Sequence, residues 1–146
     1  VYNRGGGGRN VTIFLRPACY NEVDKPSERR ESEMIASRER VAFVQEDARG
    51  KEAGAVTAYI KGEIDQHSAK DIRCSLDEYI SRNRPSVLRL DASAVTFMDS
   101  AGLGLLMGRL SLMKQYGGEL ILVRPGSSVM RMIRLAGMER LLRIEK

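Results

Sequence analysis

Apolar positions recur with regular periods from about residue 40 onward and show no such order before it. Val41-Ala42-Phe43-Val44 reads as a strand, and Asp47–Gly54 reads as a polar turn. Val56, Ala58 and Ile60 then alternate with Thr57, Tyr59 and Lys61, the period of two that marks a half-buried strand. Ser68 follows as a candidate helix N-cap, with Asp71 three residues on as a weak capping box. Ile72, Leu76, Tyr79 and Ile80 make a helical stripe that Asn83 and Pro85 bring to an end. Val87–Asp91 is a short buried strand with Leu88 and Leu90 on one face. A helix runs from about Ala101 to Tyr116 and is closed by Gly117-Gly118. Leu120–Val123 is continuously apolar and suits a covered strand. Ser127 is placed to cap a third helix that carries Val129, Met132, Ile133 and Ala136. Gly137 stops that helix in a left-handed cap, with Met138 set for the accompanying apolar contact. Leu141–Ile144 is a last strand.

The order β-β-α-β-α-β-α-β predicts an α/β domain over 40–146 with a small, mostly parallel sheet. Its opening β-β pair supplies one antiparallel contact. Residues 1–39 are expected to be a flexible tail. They hold a run of four glycines, Gly5–Gly8, and a stretch from Asn21 to Arg40 that alternates Glu and Arg around Pro26. Such a stretch offers too little apolar surface to offset the entropy of ordering it. Met34 stands just before the first strand pattern, so one reading starts the natural chain there, with the upstream residues from an extended reading frame. A native tail is the other.

Composition narrows the function. Lys and Arg number 24 against 19 Asp and Glu, a formal charge of +5 that invites a nucleic-acid reading. Residues 1–50 are nearly balanced, with nine basic and eight acidic side chains, and no block of five like charges occurs. With no Trp, three Phe and five Tyr, platforms for stacking bases are few, so no nucleic acid is expected as a partner. Two cysteines, Cys19 and Cys74, and one histidine, His67, make neither a disulfide framework nor a metal cluster. The expectation is a reduced, cytoplasmic protein without metal or cofactor. No apolar run approaches the roughly 18 residues that span a membrane, and no membrane partner is expected. A single histidine also leaves little for Ser–His or Cys–His hydrolysis, so the chain is read as a non-enzyme.

The densest candidate feature is Phe97-Met98-Asp99-Ser100-Ala101-Gly102-Leu103-Gly104, which joins a strand to a helix. Ser100 is thereby set at or near an N-cap, where its oxygen meets free backbone N–H groups. Simple capping is one role. Phosphorylation is another, because a phosphate there would add about −1.5 to −2 charges where helix N–H groups can receive them. Gly102, Gly104 and Gly108 imitate a dinucleotide fingerprint but carry one residue too many. Close packing or a shallow groove explains Gly104 and Gly108, four apart on one helix face, better than a nucleotide does. That helix has two apolar stripes: Leu103, Leu106, Met107, Leu110 and Met113, and then Leu105, Leu112 and Tyr116. One must pack on the sheet, and the second is either core or a partner surface. Glu63 and Asp65, in Gly62-Glu63-Ile64-Asp65-Gln66-His67-Ser68, enter a helix on the same sheet end as Ser100. Nothing nearby would separate two carboxylates into an acid and a base, and His67 reads as a loop or cap residue.

Four segments then combine. Gly62-Glu63-Ile64-Asp65-Gln66-His67-Ser68-Ala69, the Phe97–Gly104 segment, Gly117-Gly118-Glu119-Leu120 and Leu135-Ala136-Gly137-Met138 occur in this order. Together they resemble the STAS-domain anti-sigma factor antagonists, most closely those of sporulation. The resemblance covers about 40–146. It implies a switch in which the unphosphorylated protein binds an anti-sigma factor and frees its sigma factor, here the sporulation sigma factor F. A stress-response sigma pathway is the alternative. The anti-sigma factor is also a serine kinase, which phosphorylates the serine after the motif aspartate, Ser100 here, and a PP2C-type phosphatase reverses the step. The family often has Ser or Thr where this chain has Ala101, which removes a second acceptor. The partner-binding residues so implied are Asp65, His67, Asp99, Ser100, Ala101, Gly102, Leu103 and Gly104.

Overall fold

The computed structural model describes residues 12–13, 41–45 and 54–146. Within them, one six-stranded sheet has its strands side by side in chain order. β1 (Thr12–Ile13) pairs antiparallel with β2 (Val41–Gln45), and β2 antiparallel with β3 (Ala55–Ile64). From there β3, β4 (Val87–Met98), β5 (Glu119–Val123) and β6 (Arg143–Glu145) run parallel. Three helices connect them: α1 (Ser68–Asn83), α2 (Ser100–Gln115) and α3 (Ser127–Leu135). A 3-10 turn, Met138–Arg140, precedes β6. The α/β class and the mostly parallel sheet are as the periodicity predicts.

Several boundaries differ from the sequence reading. β1 lies inside the stretch expected as a tail, with Thr12 opposite Val44 and Ile13 opposite Phe43. Its residues belong to the apolar run Val11–Leu15, and the open edge of β2 is the surface such a run can pair with. The rest of 1–39 and residues 47–53 of the polar turn lie outside the described residues. β4 continues to Met98, well beyond the expected end at Asp91. Past Asp91 it pairs with β3 alone, because β5 stops where Val123 meets Asp91. Register shifts at Tyr59/Lys61 and Gly62/Glu63 bend this extension, so period-two patterning fails there. The last strand starts later than expected because Met138–Arg140 winds into the 3-10 turn.

The core lies between the sheet and the helices. Val56, Ala58, Leu88, Leu90, Leu120 and Leu122 point one way and join Ile72, Leu76, Leu106, Met113, Val129 and Ile133 from all three helices. On the other face the strand register lines up Thr57, Arg89, Ile121 and Arg143 in one row, and Tyr59, Asp91, Val123 and Glu145 in the next. Phe43 and Tyr79 stack at 4.3 Å with rings nearly parallel, which ties β2 to α1 inside the core. Burial also pushes the Tyr79 phenol above its ordinary pKa.

The helix caps are corrected in a consistent way. Ser68 and Ser127 are not N-caps but first residues of their helices, one position inside, and Ser100, expected at or near the cap, is likewise the first residue of α2. His67, Asp99 and Gly126 hold the cap positions. Gly137 behaves as predicted, in the left-handed region at φ 67° with Met138 buried after it. On α2 the buried line runs through Gly102, Leu105, Leu106, Arg109, Leu110 and Met113, straddling both expected stripes. Met107 and Tyr116 stay exposed.

Candidate functional site

Because β3 and β4 are parallel neighbours, the loops that leave them emerge side by side at the same end of the sheet. Ile64 is opposite Met98 in register, and the Asp99 N–H donates to the Ile64 carbonyl at 3.2 Å. The structure thus brings Asp65 and His67 beside Asp99–Gly104.

The first loop is built by Asp65 and Ser68. Asp65 Oδ1 accepts from the His67 N–H at 2.9 Å and from the Ser68 N–H at 2.8 Å, and its carbonyl accepts from Ala69. Ser68 Oγ returns the favour, accepting from the Asp65 N–H and donating to the Glu63 carbonyl at 2.7 Å. Asp65 therefore does the capping expected of Ser68, from two residues upstream of the nominal cap. The Ser68 N–H bond to the carboxylate, against a smaller opposing cost of burial, holds the Asp65 pKa below the usual carboxylate range. The signal was present as Asp three before Ser. Since this carboxylate is occupied with backbone N–H groups, it is not paired with Glu63 for acid–base work. His67 is exposed.

In the second loop Asp99 is extended, and its Oδ1 accepts from the Ala101 N–H at 2.8 Å. With the cap supplied by Asp99, the Ser100 hydroxyl is released from that task. Ser100 is exposed at the first position of α2, and its hydroxyl makes no hydrogen bond among the described residues. Two residues on, Gly102 is buried. A Cβ on Gly102 would lie 2.2 Å from Met98 Cγ and 3.2 Å from Ile64 Cγ2. Gly102 therefore shapes the surface from beneath, by letting α2 start directly against the two strand ends, and is not itself part of that surface. Gly104 is the opposite case: exposed, with no heavy atom within 4 Å of a Cβ built on it. Of the two explanations for Gly104, the groove is the one the geometry supports.

That groove runs between the first halves of α1 and α2, with a volume of about 400 Å³. Gln66, Ala69, Lys70 and Arg73 form one wall, and Ala101, Gly104 and Leu105 the other. Lys70 and Arg73 went unnoticed in sequence because nothing local links them to Ser100. Deeper between the same helices, Arg109 of α2 approaches Asp77 of α1, Nε to Oδ1, at 2.8 Å. Arg109 is buried, and its Nε and Nη1, like Asp77 Oδ1, make no hydrogen bond, so the contact is an ion pair alone. Burial dominates both partners, pushing the Asp77 pKa up and that of Arg109 down despite their mutual attraction. Among the described residues, no group of three His, Cys, Asp or Glu could hold a metal ion, and no helix is long and apolar enough to cross a membrane.

The geometry can be set beside known proteins. The STAS domain profile matches residues 50–146. The anti-sigma F factor antagonist of Paenibacillus polymyxa is 32% identical over 91 residues, which cover 62% of this chain and 78% of that protein. The anti-sigma-B factor antagonist of Listeria monocytogenes is 29% identical over 90 residues, with the same coverage of 62% and 78%. Among solved structures, the antagonist SpoIIAA in its unphosphorylated form superposes with a TM-score of 0.57 at 26% identity, over 72% of this chain and 89% of that one. The Bacillus cell fate determinant SpoIIAA in its phosphorylated form gives 0.52 at 25% identity, over 72% and 92%. With the domain profile matched over most of the described residues and an antagonist 32% identical over 78% of its length, this chain belongs to the STAS-domain anti-sigma factor antagonists.

Proposed function

We propose that this chain is a partner-switching protein whose state is set at Ser100. Unphosphorylated, it binds an anti-sigma factor through Asp65, His67 and the Asp99–Gly104 surface, and so frees a sigma factor. The anti-sigma factor is also the kinase: it transfers a phosphoryl group to Ser100 Oγ, and a PP2C-type phosphatase removes it by hydrolysis. The observation that carries the reading is the exposed Ser100 hydroxyl at the first position of α2, released from capping by Asp99 and next in the chain to Ala101, which lines the α1–α2 groove. That a relative is described in both an unphosphorylated and a phosphorylated form supports it.

The physics of the switch is local. A dianion at Ser100 meets the N–H groups of the first turn of α2, so the helix tolerates it. On the outer side it faces the partner, next to Asp99, where desolvation and like-charge repulsion oppose binding. The chain would then act in the cytoplasm, as a substrate that borrows its nucleotide from the kinase. The sigma factor is F in this reading, and the relatives named for sigma B keep a stress-response pathway as the second one.

The test is incubation with the anti-sigma kinase of each pathway and ATP, followed by mass spectrometry of the phosphopeptide and by pull-down. Phosphate at Ser100, a Ser100→Ala chain that binds and cannot be released, and a Ser100→Asp chain that binds at least about tenfold more weakly are expected, tenfold being about 1.4 kcal/mol. Tight binding by Ser100→Asp, or phosphate at another residue, would overturn the switch.

A further inference from the structure

The charge of the domain is not spread as thinly as the sequence suggests. Residues 51–123 carry nine basic and nine acidic side chains, whereas 124–146 carry six basic and two acidic ones. Within that last segment, Arg124 is engaged by Asp91, Arg143 by Glu119 and Glu145, and Arg134 by Glu139 at 3.5 Å. Arg131, Arg140 and Lys146 have no ion pair among the described residues.

The placement of apolar side chains around these cations is unusual. Arg131, Arg134 and Leu135 stand at i, i+3 and i+4, so they share one face of α3, the face opposite the buried Val129 and Ile133. Leu135 is 74% exposed. The chain then reverses at Gly137, buries Met138 in the 3-10 turn, and emerges again at Leu141, which is 53% exposed. Two exposed leucines thus flank one turn of the chain, a stretch that also carries Arg131, Arg140 and the Arg134–Glu139 pair. Cations at helix C-termini are ordinarily explained by the helix dipole. That accounts for the arginines near the ends and leaves the leucines, each of which forgoes burial, without an account.

Topology fixes where this patch lies. α3 starts where β5 ends and returns the chain to the start of β6, which is parallel to β3 and β4. Its C-terminus is therefore at the end of the sheet opposite Asp65 and Ser100.

We propose that the Arg131–Leu141 turn is a second docking surface, whose occupant is an acidic protein segment with an apolar anchor. Exposed Leu135 and Leu141 offer such a segment burial, and Arg131 and Arg140, without an ion pair among the described residues, offer it charge pairing. A bilayer is a poorer fit: the apolar side of α3 is turned into the core, so no amphipathic face remains for lipid. Nucleic acid fits less well again, because residues 124–146 contain no aromatic side chain on which a base could stack. As the patch and Ser100 sit at opposite ends, both can be occupied in one complex.

The experiment is an amide-resolved NMR titration of the full chain with a short synthetic Glu/Leu peptide, its Gln/Leu counterpart, phosphatidylglycerol-containing vesicles and duplex DNA. The Glu/Leu peptide should perturb the Arg131–Leu141 amides and leave those of Asp65–Gly104 unmoved. Arg131→Glu with Arg140→Glu, and separately Leu135→Ser with Leu141→Ser, should each weaken it by about tenfold, while the melting temperature of these surface variants stays near wild type. A Ser100→Asp chain should titrate identically, which keeps this test independent of the switch. No saturable binding of the acidic peptide, perturbations elsewhere, equal binding of the Gln/Leu peptide, or tighter binding of vesicles or DNA would each overturn the proposal.

Discussion

At the scale of single residues, two glycines two positions apart do opposite things. Gly102 is required by steric contact: any Cβ collides with Met98, whose Cγ is 2.2 Å away in a buried site. Gly102→Ala should cost about 1–3 kcal/mol in urea unfolding, the usual penalty for overfilling a core. Gly104 meets nothing, so Gly104→Ala should raise stability by up to about 1 kcal/mol through helix propensity alone. The same methyl group protrudes into the α1–α2 groove and should weaken anti-sigma factor binding in a pull-down. A stabilised variant with unchanged binding would remove the groove from the partner surface. The motif spacing displays both glycines alike, and only the positions of Met98 and Ile64 distinguish them. The serines make the same point. Each stands where a cap is expected, yet at Ser68 and Ser100 an upstream aspartate accepts the backbone N–H bonds, because its carboxylate is the stronger acceptor.

Among the elements, α1 and α2 matter most, since the groove lies between them and Ser100 begins the second. Their spacing is held in part by Arg109 and Asp77, a pair that helical periodicity does not reveal because Arg109 falls on the buried line of an apolar helix. Arg109→Met leaves Asp77 facing an apolar contact, and Asp77→Leu strands the buried guanidinium. Each single change should therefore destabilise by about 1–3 kcal/mol, while the double change should cost less than the two together. A double-mutant cycle in denaturant measures this, and additive single effects would show that the two groups do not interact. The strands were legible where both flanks patterned cleanly, as in Val56–Ile60 and Leu120–Val123. The Ala92–Met98 half of β4 was not, because bulges against β3 break the alternation. In its place buried positions fall at Ala92, Val95 and Met98, a spacing of three.

For the molecule as a whole, stability in acid should follow the carboxylates. Asp91 is 2% exposed; burial opposes its ionisation, but the Arg124 guanidinium and the Ser93 N–H outweigh that and keep its pKa below the usual range. Asp65 is lowered as well, by its loop N–H groups. Groups lowered in the folded state contribute stability that is complete above their unfolded pKa, near 4, and is lost as pH falls through their folded values. Asp77 is raised by burial and has the opposite sign, so its protonation eases the fold as pH falls toward its folded value from above. Melting temperature should thus fall below about pH 4, and Asp91→Asn should flatten that fall. An unchanged acid limb would show that Asp91 is not among its causes. The order of strands and α-helices from β2 onward, the class of the sheet, the Gly137 stop and the Asp99-Ser100 loop were all determined by the sequence itself, because periodicity, turn chemistry and local motifs act over a few residues. What only the tertiary structure decided was everything set by strands meeting across the chain. Parallel pairing of β3 with β4 set the register that locks the Asp65 loop against Asp99, on the sheet end already expected for both, and opened the Lys70–Arg73 wall of the groove. Return of α3 to the far end of the sheet put Arg131, Arg134 and the exposed Leu135 on one face at the end opposite Ser100, because a charge count along a chain carries no information about which end of a fold each residue occupies.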